Sequence, residues 1–98
     1  MANISTVASA DTVIRKVAST HAPLTLLKVF AYNTAGSKSL TVYDADSTTI
    51  SAQKQIGFLG LVTANVVYEL DYGEGIPCTV GIELEIADAT TFAWVIYK

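Results

Sequence analysis

The chain has 98 residues, 51% of them hydrophobic and 15% charged, and a net charge of −3. That length holds one domain; the charge excludes the clustered basic face that nucleic acid requires, and a single cysteine, Cys78, excludes an intrachain disulfide framework. An average soluble domain carries about 25% charged residues, so little of this surface is built purely for water, and a homo-oligomer or assembly subunit is expected.

Residues 1–20 are small and polar and read as a flexible or extended N-terminal arm, with "TVIRKVAST" a weak first strand. The arm has no basic n-region and no apolar h-region, so no signal peptide is visible, and no apolar run approaches bilayer length. No membrane partner is expected, and synthesis in a reducing cytoplasm is. Residues 21–98 are expected to form the β-sandwich domain.

"LTLLKVFAYN" (24–33) is the first clear strand. Leu27, Val29 and Ala31 fall on one face, Lys28, Phe30 and Tyr32 on the other. "TAGSK" supplies turn residues, and "SLTVYDA" (39–45) follows as the second arm of an expected hairpin. A short edge strand is expected at Thr48–Ala52, then a bulged strand or packed loop in "IGFLGLVTA". "NVVYELDYG" alternates, with Val66, Tyr68, Leu70 and Tyr72 on one face. "GEGIPC" reads as a turn. "TVGIELEI" places Val80, Ile82, Leu84 and Ile86 inward and Thr79, Gly81, Glu83 and Glu85 outward. "ADATT" reads as a hairpin loop before "FAWVIYK". Six to eight short strands with no helical period predict an all-β fold, a single antiparallel β-sandwich or barrel.

Catalytic motifs are missing. "AGSKS" lacks the first glycine of a phosphate loop, Ala31 standing in its place. "DADSTT" starts like a calcium loop, but Thr49 and Gln55 occupy the positions that need glycine and glutamate. The plain reading is a turn in which Asp oxygens accept from backbone N–H groups. The one histidine, His21, is far in sequence from Cys78, and no G-x-S-x-G is present. No enzyme and no cofactor are expected. If strands 66–72 and 79–86 pair, Glu69, Asp71, Glu83 and Glu85 share one face, which would be a solvated acidic face, a Ca²⁺ site or a seat for a basic partner. Tyr32, Tyr43, Tyr68, Tyr72, Trp94 and Tyr97 could also serve as a carbohydrate platform, against the commoner role in core or interface packing.

The last strand is apolar on both faces. Phe92, Trp94 and Ile96 point one way, Ala93, Val95 and Tyr97 the other. Alternation marks one wet face, and its loss marks two dry ones. One face fits the core. The other needs a cover, either a second subunit or residues 1–20 folded back. Tyr68, Tyr72, Phe92, Trp94 and Tyr97 are the candidate interface residues, since aromatic anchors dominate such contacts.

From Leu26 onward, about three-quarters of the chain resembles small structural proteins of tailed bacteriophages. The carrying stretches are "LLKVFAYNTAGSKSLTVYDADST" and "YGEGIPCTVGIELEIADATTFAWVIYK". A strand–turn–strand ending in Tyr-Asp precedes a gap; a Gly-Ile strand, an Ala/Thr turn and a terminal Val-Ile-Tyr strand follow. The intervening "ISAQKQIGFLGLVTANVVYEL" is more apolar than that pattern. The resemblance implies a jelly-roll-like virion subunit, such as a capsid decoration or cement protein. Its partners would be further copies of itself, as in a trimer, and the major capsid or another virion protein. It would be made in the host cytoplasm, and the family carries no catalytic residues over. A carbohydrate- or calcium-binding module used in host attachment is the competing expectation.

Overall fold

A computed structural model describes residues 2–20, 23–48, 54–86 and 88–98. The strands are β1 (Asn3–Ile4), β2 (Thr12–Lys16), β3 (Leu24–Asn33), β4 (Lys38–Asp44), β5 (Lys54–Leu61), β6 (Tyr68–Cys78), β7 (Gly81–Ile86) and β8 (Thr91–Tyr97). One helical turn, α1 (Val17–Thr20), follows β2. Two four-stranded antiparallel sheets result, the first in the order β1-β8-β3-β6 and the second in the order β2-β7-β4-β5.

The pairing is nested: β4 with β5, β3 with β6, β2 with β7, β1 with β8. That is one long antiparallel hairpin rolled up, and rolling adds β3–β8 and β4–β7. It is the pairing of a jelly roll. The all-β sandwich expected from the alternating strands is therefore present.

Local turn chemistry misassigned two hairpins. β3 and β4 lie in different sheets, as do β7 and β8, so "TAGSK" and "ADATT" carry the chain between sheets. β3 pairs with β6 and β8, β7 with β2 and β4, and β8 with β1 and β3, while β4 turns to the next strand, β5, and to β7; turn residues alone do not say which sheet the next strand joins.

Bulges account for the shifted faces. β3 slips register between Leu26 and Lys28. Leu24 and Leu26 are buried before the slip, Val29 and Ala31 after it, and Leu27 is displaced to half-burial. On β6 the opposing residues are Ile76 and Asp71, so "GEGIPC" is a bulged strand and not a turn. Gly73 and Gly75 supply the φ values of 66° and 105° that the bulge needs. Val80, expected inside, lies in the exposed bend before β7. The strand expected at Thr48–Ala52 falls on residues outside the described set except for Thr48, which lies in a bend.

In the expected arm, Asn3–Ile4 and Thr12–Lys16 are strands paired into the two sheets, with a bend at residues 9–11 between them. Ser5 N–H donates to Val95 O (3.0 Å), and Ala8 and Ala93 exchange backbone bonds of 2.8 and 2.9 Å. Thr12–Lys16 then crosses to pair with β7 in the second sheet. The segment satisfies the open edges of β8 and β7, which would otherwise template pairing with another chain.

Five strands supply most of the core, Leu26 and Val29, Leu40 and Val42, Leu59 and Leu61, Ile82 and Leu84, Ala93 and Val95, while the longest strand, β6, adds Cys78 and lays half-buried Tyr68, Leu70, Tyr72 and Ile76 against it. No described helix is long and apolar enough to cross a membrane.

Candidate functional site

β8 buries Thr91, Ala93 and Val95 and turns Phe92, Trp94 and Ile96 to the outer side of the first sheet. Register places Phe30 of β3 beside Trp94, and Tyr32 beside Phe92. The rings stack in pairs. Phe30 and Trp94 have centroids 5.5 Å apart and planes 14° from parallel; Tyr32 and Phe92 are at 5.2 Å and 22°. Tyr32 also meets Trp94 edge-on at 6.4 Å. Ile96 and Ile4 are paired on the same face, and Ile4 is 72% exposed. All four rings are half-buried, sheltered in part by one another. N-terminal residues pair with the edge of β8.

A charged rim borders the aromatics. Glu69 and Asp71 of β6 stand opposite Phe30 and Lys28. Lys28 Nζ lies 3.7 Å from both Glu69 Oε2 and Asp71 Oδ2. One cation is thus shared by two carboxylates, at half-exposed positions where such pairs add little stability.

Of the expected interface set, Phe92 and Trp94 sit together on this face. Tyr68, Tyr72 and Tyr97 do not join them; they pack against the core cluster. Tyr72 Oη donates to Ile56 O (2.9 Å), and Tyr68 Oη accepts from Thr63 N–H (3.0 Å). They tie β6 to β5 and to the connection between them. Of the aromatics expected as a carbohydrate platform, only Tyr32 and Trp94 share a surface, and Tyr43 lies on the second sheet. Phe30 was outside both sets. Its alternation with Lys28 and Tyr32 on β3 is the signal that places it on the outer face.

The four carboxylates expected on one face are split between the sheets. β6 pairs with β3, whereas β7 pairs with β2 and β4. Glu69 and Asp71 border the aromatic face; Glu83 and Glu85 lie on the second sheet. Among the described residues, no group of three or more His, Cys, Asp or Glu could hold a metal ion.

Asp44 does accept backbone hydrogen bonds, as its turn-like surroundings led us to expect, but from a distant segment. Thr79 N–H and Oγ1 donate to Oδ2 at 3.0 and 3.2 Å; Val80 and Gly81 N–H donate to Oδ1 at 2.9 and 3.1 Å. Burial alone would raise its pKa, but these donors outweigh burial and hold it below the ordinary carboxylate value. Asn33 plays a similar part at the other crossing. Its Oδ1 accepts from Ala35 and Gly36 N–H (2.7 and 2.8 Å), and its Nδ2 donates to the Thr90 and Thr91 hydroxyls (3.0 and 2.7 Å).

Cys78 is buried at the end of β6, and burial with the nearby Asp44 pushes its thiol up to about 11 from 9.0. A thiol in that state is a packing group. At pH 8, Cys78 in the native protein is expected to react with a soluble disulfide reagent at least ~100-fold more slowly than in urea, because both thiolate fraction and access are lost. Equal rates would show the site open.

No family model, no curated protein and no solved structure matches this chain.

Proposed function

We propose that the protein is a non-enzymatic structural subunit that works by burying the outer face of its first sheet against another copy of itself. The observation that carries this is the stacked aromatic layer of Phe30, Tyr32, Phe92 and Trp94, extended by Ile96 and Ile4. Continuous apolar surface of this kind on a single chain marks an interaction site. A flat aromatic sheet face suits sheet-on-sheet packing at about 10 Å. The charge at the rim also suits a like partner. Lys28 is shared by Glu69 and Asp71, which leaves acceptor capacity for a lysine from a facing copy. Repetition across many copies would turn modest contacts into firm attachment.

The setting proposed for this subunit is a virion, as a capsid decoration or cement protein, with the major capsid or another virion protein as its second partner. Support comes from the resemblance of the strand sequences to small phage structural proteins and from the jelly-roll pairing, a fold common in capsid domains. Fold alone does not fix function, and lectins use the same architecture. A carbohydrate-binding role in host attachment is the second reading. It is favoured by flat rings beside Lys28, Glu69 and Asp71, a combination suited to sugar faces and hydroxyls.

Sedimentation at micromolar concentration separates the two. Wild type is expected to run as an oligomer, and Trp94→Glu as a folded monomer, with mass shifts readable directly. A wild-type monomer at all concentrations with no affinity for virus particles would overturn the proposal. Glycan binding abolished by Trp94→Ala, with a monomeric wild type, would establish the second reading instead.

A further inference from the structure

Glu83 stands at the centre of the second sheet. Register sets Val13 of β2 on one side and Tyr43 of β4 on the other. Its neighbours Ile82 and Leu84 fill the core, so alternation turns Glu83 to the outer side. The residue is nevertheless only 1% exposed. No hydrogen bond or ion pair reaches its carboxyl among the described residues. An ionised carboxylate buried without a partner is strongly disfavoured, and protonation is the usual escape.

The surrounding charges act the same way. Asp11, just before β2, and Glu85, on the same strand, are both acidic. Burial, then Asp11, then Glu85 raise the Glu83 carboxyl to about 7. On β4, the Tyr43 hydroxyl is itself pushed up, by burial first and then by Glu85, Glu83 and Asp11. The basic groups of β2, Arg15 and Lys16, stand opposite Ile82 and Gly81, are exposed, and make no ion pair with Glu83. Lys54 of β5 lies across β4, opposite Asp44.

We propose that Glu83 is a proton-operated latch on β2: with its carboxyl protonated β2 stays on β7, and when the carboxyl ionises β2 lets go. β2 is the element that yields. It is five residues long, outermost in its sheet, and broken by a register slip between Val13 and Arg15. It also brings Asp11 close to the buried charge. β4, on the other side, is held by β5 and by buried Leu40 and Val42. The folded value, about 7, lies above the ordinary 4.5. The latch is therefore fully closed below pH ~4.5 and weakens as pH rises through ~7.

Native-state amide exchange on the full chain tests this. After correction for intrinsic rates, the opening equilibrium of β2 and of its β7 partners is expected to rise on the order of 10²-fold between pH 5 and 8.5. Amides of β3 and β8 should stay flat. Glu83→Gln should remove the rise. A flat wild type, a uniform rise over both sheets, or a rise that persists in Glu83→Gln would overturn the latch. Should the variant not fold, the carboxyl ¹³C titration of wild-type Glu83 decides: a midpoint near 7 supports the proposal and one near 4.5 sinks it. Calcium chloride closing the pH 8.5 state would mean that a cation, and not a proton, is the ligand.

Discussion

Asp44→Ala is expected to lose about 3–5 kcal/mol of stability, a large share of the ~5–15 kcal/mol that holds a domain of this size. Four donors converge on the carboxylate, three of them backbone N–H groups of Thr79, Val80 and Gly81. Hydrogen bonds to a charged acceptor are worth ~1.5–3 kcal/mol each and do not add fully. Water can replace the acceptor at exposed Thr79 and Val80, but Gly81 N–H is buried and would be left unpaired. Asp44→Asn keeps one acceptor oxygen and should cost roughly half as much. Urea titration reads both, as a lower midpoint at unchanged slope. The pH dependence has a definite sign. The folded pKa of Asp44 lies below the ordinary 3.8. Its contribution is therefore present above pH ~4 and lost as pH falls through the lower folded value. Wild type should lose stability on acidification through that range, and Asp44→Ala should lose less. Equal acid limbs would show that the carboxylate does not hold the crossing.

Gly81→Ala is expected to cost more than ~4 kcal/mol, enough to leave much of the protein unfolded. The methyl would stand 2.7 Å from the Arg15 carbonyl oxygen and closer still to that of Ala45. Both are backbone atoms, one in β2 and one just after β4, and neither can swing aside as a side chain could. Gly60→Ala is the matched control. Its added methyl meets only Val62 Cγ2, at 4.0 Å, and should change stability by less than ~0.5 kcal/mol. Thermal melts followed by circular dichroism would show a collapse for Gly81→Ala and none for Gly60→Ala. A Gly81→Ala variant as stable as wild type would mean that β2 and β4 do not close on β7 as tightly as the structure has them.

Single strands were legible in the sequence because side-chain alternation is a local property. In "GIELEI" period-two spacing separates Ile82, Leu84 and Ile86 from the outer positions, and in "FAWVIY" it sorts the side chains into two apolar faces without saying which one meets the core. Partner choice was not legible. It depends on which distant strand offers matching edges, and that is why 24–33 and 39–45 read as a hairpin while each pairs elsewhere. Bulges were hidden for a related reason. The glycines of "YGEGIP" look like a turn unless Leu27 is known to bulge opposite them. The candidate site was half visible. Phe92 and Trp94 stand out in a strand that is apolar on both sides, but Phe30 joins them only through the β3–β8 register. Tyr68, Tyr72 and Tyr97 looked equally suitable, since an amphipathic ring serves a core edge as well as a surface. Glu83 could not have been singled out. Its alternation with Ile82 and Leu84 is the ordinary sign of a wet position, and only the packing of Val13 and Tyr43 beside it makes the site dry.

The nested pairing also sets a timetable for folding. Ile4 needs Ile96, and Val13 needs Glu83. On the ribosome the first strands emerge long before the residues that will hold them, and the earliest adjacent partners are β4 and β5. The tip of the roll can zip while the chain is still being made; its outer wraps must wait for β7 and β8. Until then the emerging chain carries bare apolar strands, and the closing β1–β8 pair forms only after synthesis has passed Tyr97.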